Sequence, residues 1–381
     1  MAPFEPEVYL SKLSSSQRTI SGVKDYYFGG AGSQETLRKN IRAFEKITMV
    51  PRVLNHLEAP DLSVEVFGKR APLPIFIAPM AYLSLLELEG EAIFARRAAK
   101  SGVSFVLSTR SAMPLEEVAS IFHANLPTTQ ASAPRPLLLL QVYVMKDRAI
   151  TYSLMNRAVE NGFDGFVLTV DSPVIGLRRG DRSNHFEVPL KWQNANFIQE
   201  LSTSAKVFTP SDFGRGVSGT NYEALVQDPT FSWDDLGEFS SMAGGLPFAM
   251  KGVLDPRDVA RALTHCDDVI LSNHGGRQLD GSITAIQALY RISKGGTKFQ
   301  GNLIVDGGVD SGADVLRSLG LGGASVMVGR YFARGLFGGG DAGLKAAVNT
   351  LIEETKISMA LLGAASIDKI DSDAFVVPVD F

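Results

Sequence analysis

Five short segments of this 381-residue chain bring together groups that can move a proton and groups that can hold an anion. In SNHGGRQLDG (272–281), His274 carries the side chain whose ordinary pKa suits proton abstraction near neutrality. Two flexible glycines follow it, and Arg277 offers a planar fork for a carboxylate. Alone, such a pair reads equally well as a surface turn with a satisfied imidazole. A second guanidinium, Arg178, comes shortly after TVDSP (169–173) and its Asp171; two arginines and a phenol would clamp a small monocarboxylate, while Arg179 is expected to face solvent. Lys251 ends the apolar run PFAMK (247–251), where an ammonium is costly without an anionic or electron-rich partner. Finally, DGGVDSG (306–312) and VGR (328–330) bring glycines where backbone N–H groups and a helix start could receive a phosphate.

These groups need a scaffold, and the chain supplies a repeating one. Eight apolar runs, at 75–79, 103–107, 138–142, 166–170, 247–251, 268–272, 302–306 and 324–328, are continuous enough for strands covered on both faces. Amphipathic segments at 90–102, 148–162, 255–265 and 311–320 alternate with them, with Gly102 as a stop and Asp255 and Ser311 as N-caps. The pattern predicts a single α/β domain, a (β/α)8 TIM barrel of about 71–355 behind an N-terminal helical segment of about 1–70. The interval from 171 to 246 breaks the rhythm, and a lid insertion of about 180–240 after strand four is expected there. Barrel enzymes carry their chemistry at the C-terminal strand ends. That rule collects Ala78, Pro79, Ser108, Gln141, Tyr143, Thr169, Asp171, Lys251, Ser272, His274, Asp306, Gly329 and Arg330. Of the five histidines, His274 alone ends a predicted strand among basic groups.

Composition narrows the function class. A formal net charge of −4 provides no basic field for nucleic acid or an anionic membrane surface. The single cysteine, Cys266, rules out an internal disulfide or a multi-thiolate metal site and fits a reducing, cytoplasmic compartment. Neither a leader nor a membrane-spanning run is expected, and no metal site.

In order and spacing, IAPMA (77–81), QVYVMKDR (141–148), LTVDSP (168–173), MKGV (250–253), SNHGGRQLD (272–280), DGGV (306–309) and VGR (328–330) resemble the FMN-dependent α-hydroxy-acid oxidase and dehydrogenase family. The resemblance runs from about Tyr26 to the helix after VGR. It implies FMN as cofactor, with Ala78, Pro79 and Met80 along the flavin edge, Ser108, Gln141, Thr169, Ser272 and Asp306 among its polar contacts, and Lys251 beside the ring edge that gains charge. Gly307, Gly308, Gly329 and Arg330 would hold the phosphate. Tyr26, Arg178 and Arg277 would clamp the substrate carboxylate, Tyr143 would bond the substrate oxygen, His274 would be the base and Asp171 its orienting carboxylate. The implied reaction converts a small L-α-hydroxy acid to a 2-oxo acid, with oxygen or another electron acceptor as partner and a homotetramer as the assembly. The alternative is an FMN-binding barrel with an isomerase or non-catalytic role.

Two positions depart from the pattern. Asp310 stands where the family's pattern has an arginine beside the phosphate, which predicts repulsion, weaker FMN retention and tightening on Asp310→Arg. Arg110 stands in the loop that would line the substrate side chain, where an aromatic or apolar residue is the rule. It predicts a substrate with a further polar or acidic group, or else a pairing with a lid carboxylate such as Asp212 or Glu223.

Overall fold

Eight apolar runs covered on both faces need a sheet without an exposed edge, and closure into a barrel provides it. A computed structural model of the protein describes residues 22–55, 59–128, 133–184, 188, 195–197, 227–295, 300–379 and 381. The strands are β1 (Ile75–Ile77), β2 (Ser104–Ser108), β3 (Leu138–Val142), β4 (Gly165–Thr169), β5 (Phe248–Val253), β6 (Asp268–Ser272), β7 (Asn302–Asp306) and β8 (Ser325–Val328). All are parallel to their neighbours, and β8 pairs back onto β1 to close the barrel. The apolar runs therefore fall where the sequence predicts. β5 is longer than expected because its register on β6 shifts between Lys251 and Val253.

The predicted helices form as Gly90–Ser101, Arg148–Glu160, Pro256–Ala262 and Gly312–Gly320. Gly102 ends the first, and the side chains of Asp255 and Ser311 accept from the amides of Arg257 and Asp314 as N-caps. Among the described residues no helix is long and apolar enough to cross a membrane. Most of the proposed lid, including 198–226, lies outside the described residues.

One core fills the barrel and another lies between the strands and the surrounding helices. A hairpin of Val64–Val66 and Lys69–Ala71 plugs the N-terminal end, where the Phe67 ring lies 6.2 Å from that of Phe76 at a tilt of 47° and the Phe67 amide donates to Asp268 at 2.9 Å. The open C-terminal end receives the N-terminal helices Val23–Phe28 and Glu35–Glu45. Here Ala31 N donates to the Gly276 carbonyl at 2.8 Å.

The helix Glu35–Glu45 lacks a side-chain cap of its own, since Gln34 at its N-cap makes no such bond. Asp280 supplies one from the distant loop after β6. Its carboxylate accepts from Ser33 N at 2.6 Å, Ser33 Oγ at 2.7 Å and Thr36 N at 3.0 Å. Burial pushes this carboxyl up, but those bonds outweigh it and hold it well below the usual carboxylate range. Asp280→Ala is expected to cost about 1 kcal/mol. Because the folded pKa is depressed, the stabilisation is complete above the unfolded carboxylate pKa and is lost as pH falls. The difference between thermal melts of the two proteins should thus begin to shrink below about pH 4 and vanish only well below it.

Candidate active site

Strand register sets the floor of the site. At the C-terminal ends Ser108 lies opposite Gln141, Thr169 opposite Lys251, and Ser272 opposite Asp306. Gln141 donates from Nε2 to Thr169 Oγ1 at 3.0 Å and accepts at Oε1 from Ser108 Oγ at 3.2 Å. The partner that Lys251 requires comes from within the protein. Its Nζ lies 2.9 Å from Asp306 Oδ2 and donates to Ser272 Oγ at 3.1 Å, while Ser272 donates to the same Asp306 oxygen at 2.6 Å. Burial pushes the Lys251 ammonium down, but the carboxylates of Asp306 and Asp171 more than compensate, and its pKa stays raised. A fixed positive charge therefore sits beneath the mouth of the barrel.

His274 stands above this floor with φ 59, a left-handed conformation that a residue with a Cβ adopts at a cost. Its loop is held from both sides. His274 N donates to Ser272 Oγ at 2.9 Å, and Asn273 exchanges amide hydrogen bonds of 2.9 and 2.7 Å with Asn40 on an N-terminal helix. His274 Nδ1 meets Asp171 Oδ1 at 2.8 Å. Burial pushes the Asp171 carboxyl up, but the His274 ring and the Lys251 charge outweigh it, so the group remains a carboxylate. A carboxylate at Nδ1 keeps the proton there and leaves Nε2 as the basic nitrogen. Gly252, at φ 106 in the β5 irregularity, makes room for this pair, because a Cβ there would overlap the Asp171 side chain.

The three residues expected to clamp a carboxylate also lie together. The Tyr26 ring lies 4.9 Å from the Arg277 guanidinium and 5.9 Å from that of Arg178, and Arg277 donates to the Tyr26 carbonyl. Arg178 lies 3.6 Å from Asp181, and its buried Nε has no hydrogen-bond partner among the described residues. Arg179 is exposed, as expected. One cavity is lined by Tyr26, Arg178 and Arg277 together with Ala78, Pro79, Met80, Ser108, Arg110, Gln141, Tyr143, Thr169, Lys251, His274, Asp306, Gly307, Gly308, Gly329 and Arg330. Asp171 and Ser272 buttress that lining from behind. Arg110 is 2% exposed, its guanidinium 5.3 Å from the Phe197 ring. The carboxylates weighed as its partners, Asp212 and Glu223, lie outside the described residues. Among the described residues no His, Cys, Asp and Glu cluster could hold a metal ion.

Several contributors escape a sequence reading. Tyr27 donates to the carbonyls of Ala81 and Tyr82, both at 2.5 Å, anchoring the N-terminal segment to the loop after β1. Asn40, Asp181 and Arg334 join the site from positions that end no strand. Arg330, expected to serve a phosphate, donates from Nε to Tyr27 O at 3.0 Å and from its two terminal nitrogens to Gly275 O and Gly29 O at 2.8 Å each. Asp310, expected to stand as a repelling charge, accepts from Arg334.

Comparison with known proteins gives a consistent result. A profile of the FMN-dependent dehydrogenase family matches residues 15–377. The chain is 37% identical to the L-lactate oxidase of Nostoc sp., covering 95% of this chain and 94% of that one. It is 34% identical to 2-hydroxyacid oxidase 1 of Mus musculus over 96% and 95% of the two chains. A crystal structure of mandelate oxidase superposes with a TM-score of 0.82 at 29% identity, covering 98% of each chain.

Gly252 offers a test of the geometry. Gly68 has φ 63 and a Cβ there would meet nothing within 4 Å, so Gly68→Ala reports backbone strain alone. Gly252→Ala adds the overlap with Asp171 to a backbone at φ 106, outside the left-handed well that Gly68 occupies. It is expected to destabilise by at least about 1 kcal/mol more than Gly68→Ala in urea denaturation.

Proposed function

The chain belongs to the FMN-dependent dehydrogenase family, and from that premise we propose that it oxidises small L-2-hydroxy acids to 2-oxo acids, with oxygen or another acceptor taking the electrons onward. The observation that carries the reading is the His274–Asp171 pair, 2.8 Å apart, sharing one cavity with Arg178, Arg277 and Tyr26. A base held by a carboxylate beside two guanidiniums suits a substrate with an acidic end and a proton to lose.

The residues present fit FMN. Gly308 lets the chain pass against Asn40 where a Cβ would overlap the Asn40 carbonyl, and a buried lysine lies below the same cavity. Ala78, Pro79 and Met80 would line the flavin, Ser108, Gln141, Thr169 and Lys251 would meet its polar edge, and Gly307, Gly308, Gly329 and Arg330 would border the phosphate. Ser272 and Asp306 serve this site by fixing Lys251. Bound FMN supplies the acceptor for the two electrons and for one of the two protons that the substrate loses.

The chain's own groups handle binding and the proton. Arg178 and Arg277, braced on Tyr26, take the carboxylate, and Tyr143 hydrogen-bonds the substrate oxygen. His274 Nε2 takes a proton as the substrate gives up two electrons, and Asp171 stabilises the imidazolium across the 2.8 Å contact. The single cysteine supports a reducing, cytoplasmic setting, and the resemblance implies a homotetramer.

Anaerobic mixing with a panel of L-2-hydroxy acids should bleach the flavin absorbance, and oxygen admitted afterwards separates an oxidase from a dehydrogenase. A flavin that no member of the panel bleaches would favour an isomerase or non-catalytic role instead. His274→Gln is expected to slow bleaching by roughly 100-fold or more with FMN retained, and Asp171→Asn to act in the same direction less severely. Stopped-flow rates normalised to bound FMN check both.

Arg110 brings a buried guanidinium to the same cavity. The reading it supports is a substrate with a polar or acidic group beyond the α-carboxylate. Wild type is expected to prefer a dicarboxylic hydroxy acid over glycolate, lactate and mandelate in kcat/KM. Arg110→Ala should lose that preference by about 10-fold or more, and an unaltered order would remove the idea.

A further inference from the structure

The glycine-rich end of the cavity holds a guanidinium that no sequence motif announces. Arg334 lies one turn beyond Arg330 on the helix Arg330–Leu361, with its side chain 8% exposed and its guanidinium 6.0 Å from the Tyr331 ring. One terminal nitrogen donates to Asp310, which follows Gly307, Gly308 and Val309 on the wall of the same cavity. Its Nε is buried and has no hydrogen-bond partner among the described residues. Burying a donor of a cationic group without an acceptor is costly. The neighbouring Arg330 is differently placed, since its Nε and both terminal nitrogens already donate to peptide carbonyls.

Resting on the FMN-dependent reading above, we propose that Arg334 is the guanidinium that receives the phosphate of FMN, and that Asp310 is the carboxylate that holds it in place. The charge order at this end is then an inner ion pair that presents a cation to the cavity. Asp310, with 29% of its side chain exposed, is partly solvated and screened, whereas Arg334 is nearly enclosed and acts at short range. A phosphomonoester dianion supplies the acceptor that the enclosed Nε lacks. The amides at the start of the helix Arg330–Leu361 and the close-approaching Gly308 border the same space.

FMN differs from riboflavin by this phosphate alone, so the pair isolates the contact. Both flavins are titrated by fluorescence quenching into the full-length chain freed of flavin. Wild type is expected to bind FMN far more tightly than riboflavin. Arg334→Gln should weaken FMN by about 10- to 100-fold and change riboflavin by less than about 3-fold. Unchanged riboflavin affinity also reports that the variant folds, and Arg334→Lys, which keeps the charge, should fall between the two. Asp310→Asn should loosen FMN because Arg334 loses its anchor. An FMN-to-riboflavin ratio left at the wild-type value by both Arg334 variants overturns the assignment, and tighter FMN binding by Asp310→Asn overturns the anchoring role. A wild-type chain that binds riboflavin but does not prefer FMN overturns the phosphate contact alone. One that binds neither flavin overturns the functional reading as well.

Discussion

A lysine at the inner end of a barrel strand is tolerable only if its ammonium is compensated, and the floor of this site is arranged around that requirement. Asp306 supplies the counter-charge at 2.9 Å, Ser272 joins both groups, and Asp171 contributes a second, longer-range attraction. The same field acts in reverse, since Lys251 helps to keep Asp171 ionised and so sets the partner that His274 meets. The serine extends the chain of dependence, because its oxygen also receives the His274 amide. Charge at the floor and orientation of His274 are thus one network, in which a change at any member alters the others.

The N-terminal segment completes the site that the barrel begins. Asn40 holds the His274 loop through Asn273, Asp280 from the far side of that loop caps the helix bearing Asn40, and Arg330 binds the carbonyls of Tyr27, Gly29 and Gly275 together. This reciprocal bracing offsets the strain at His274 and fixes Tyr26 against the two arginines. It also leaves the mouth rich in buried cations. Arg178, Arg277, Arg330 and Arg334 face it, with Asp181 beside Arg178 and Asp310 beside Arg334. Burial lowers Arg330 to about 9, and Arg277 and Arg178 push it the same way.

The sequence by itself determined the barrel and most of the residues that face its mouth. Apolar runs such as 268–272 and 302–306 can be satisfied only as strands covered on both faces, and the first polar residue after each run must emerge at one end. His274, Asp171, Lys251, Gln141 and Thr169 were legible for that reason, as were the caps Asp255 and Ser311, whose effect is local. What only the tertiary structure decided is which charges meet. Lys251 and Asp306 are joined by register across β6, Asn40 and Asn273 by the docking of a helix, and Asp310 and Arg334 by the turn that brings the helix Arg330–Leu361 back against the loop after β7. Asp310 shows the consequence: read along the chain it is an isolated negative charge beside a phosphate loop, and in space it is the partner of a buried arginine. Electrostatic energy depends on separation and solvent access rather than on spacing in sequence, so its sign at such a position is fixed only when the chain has folded.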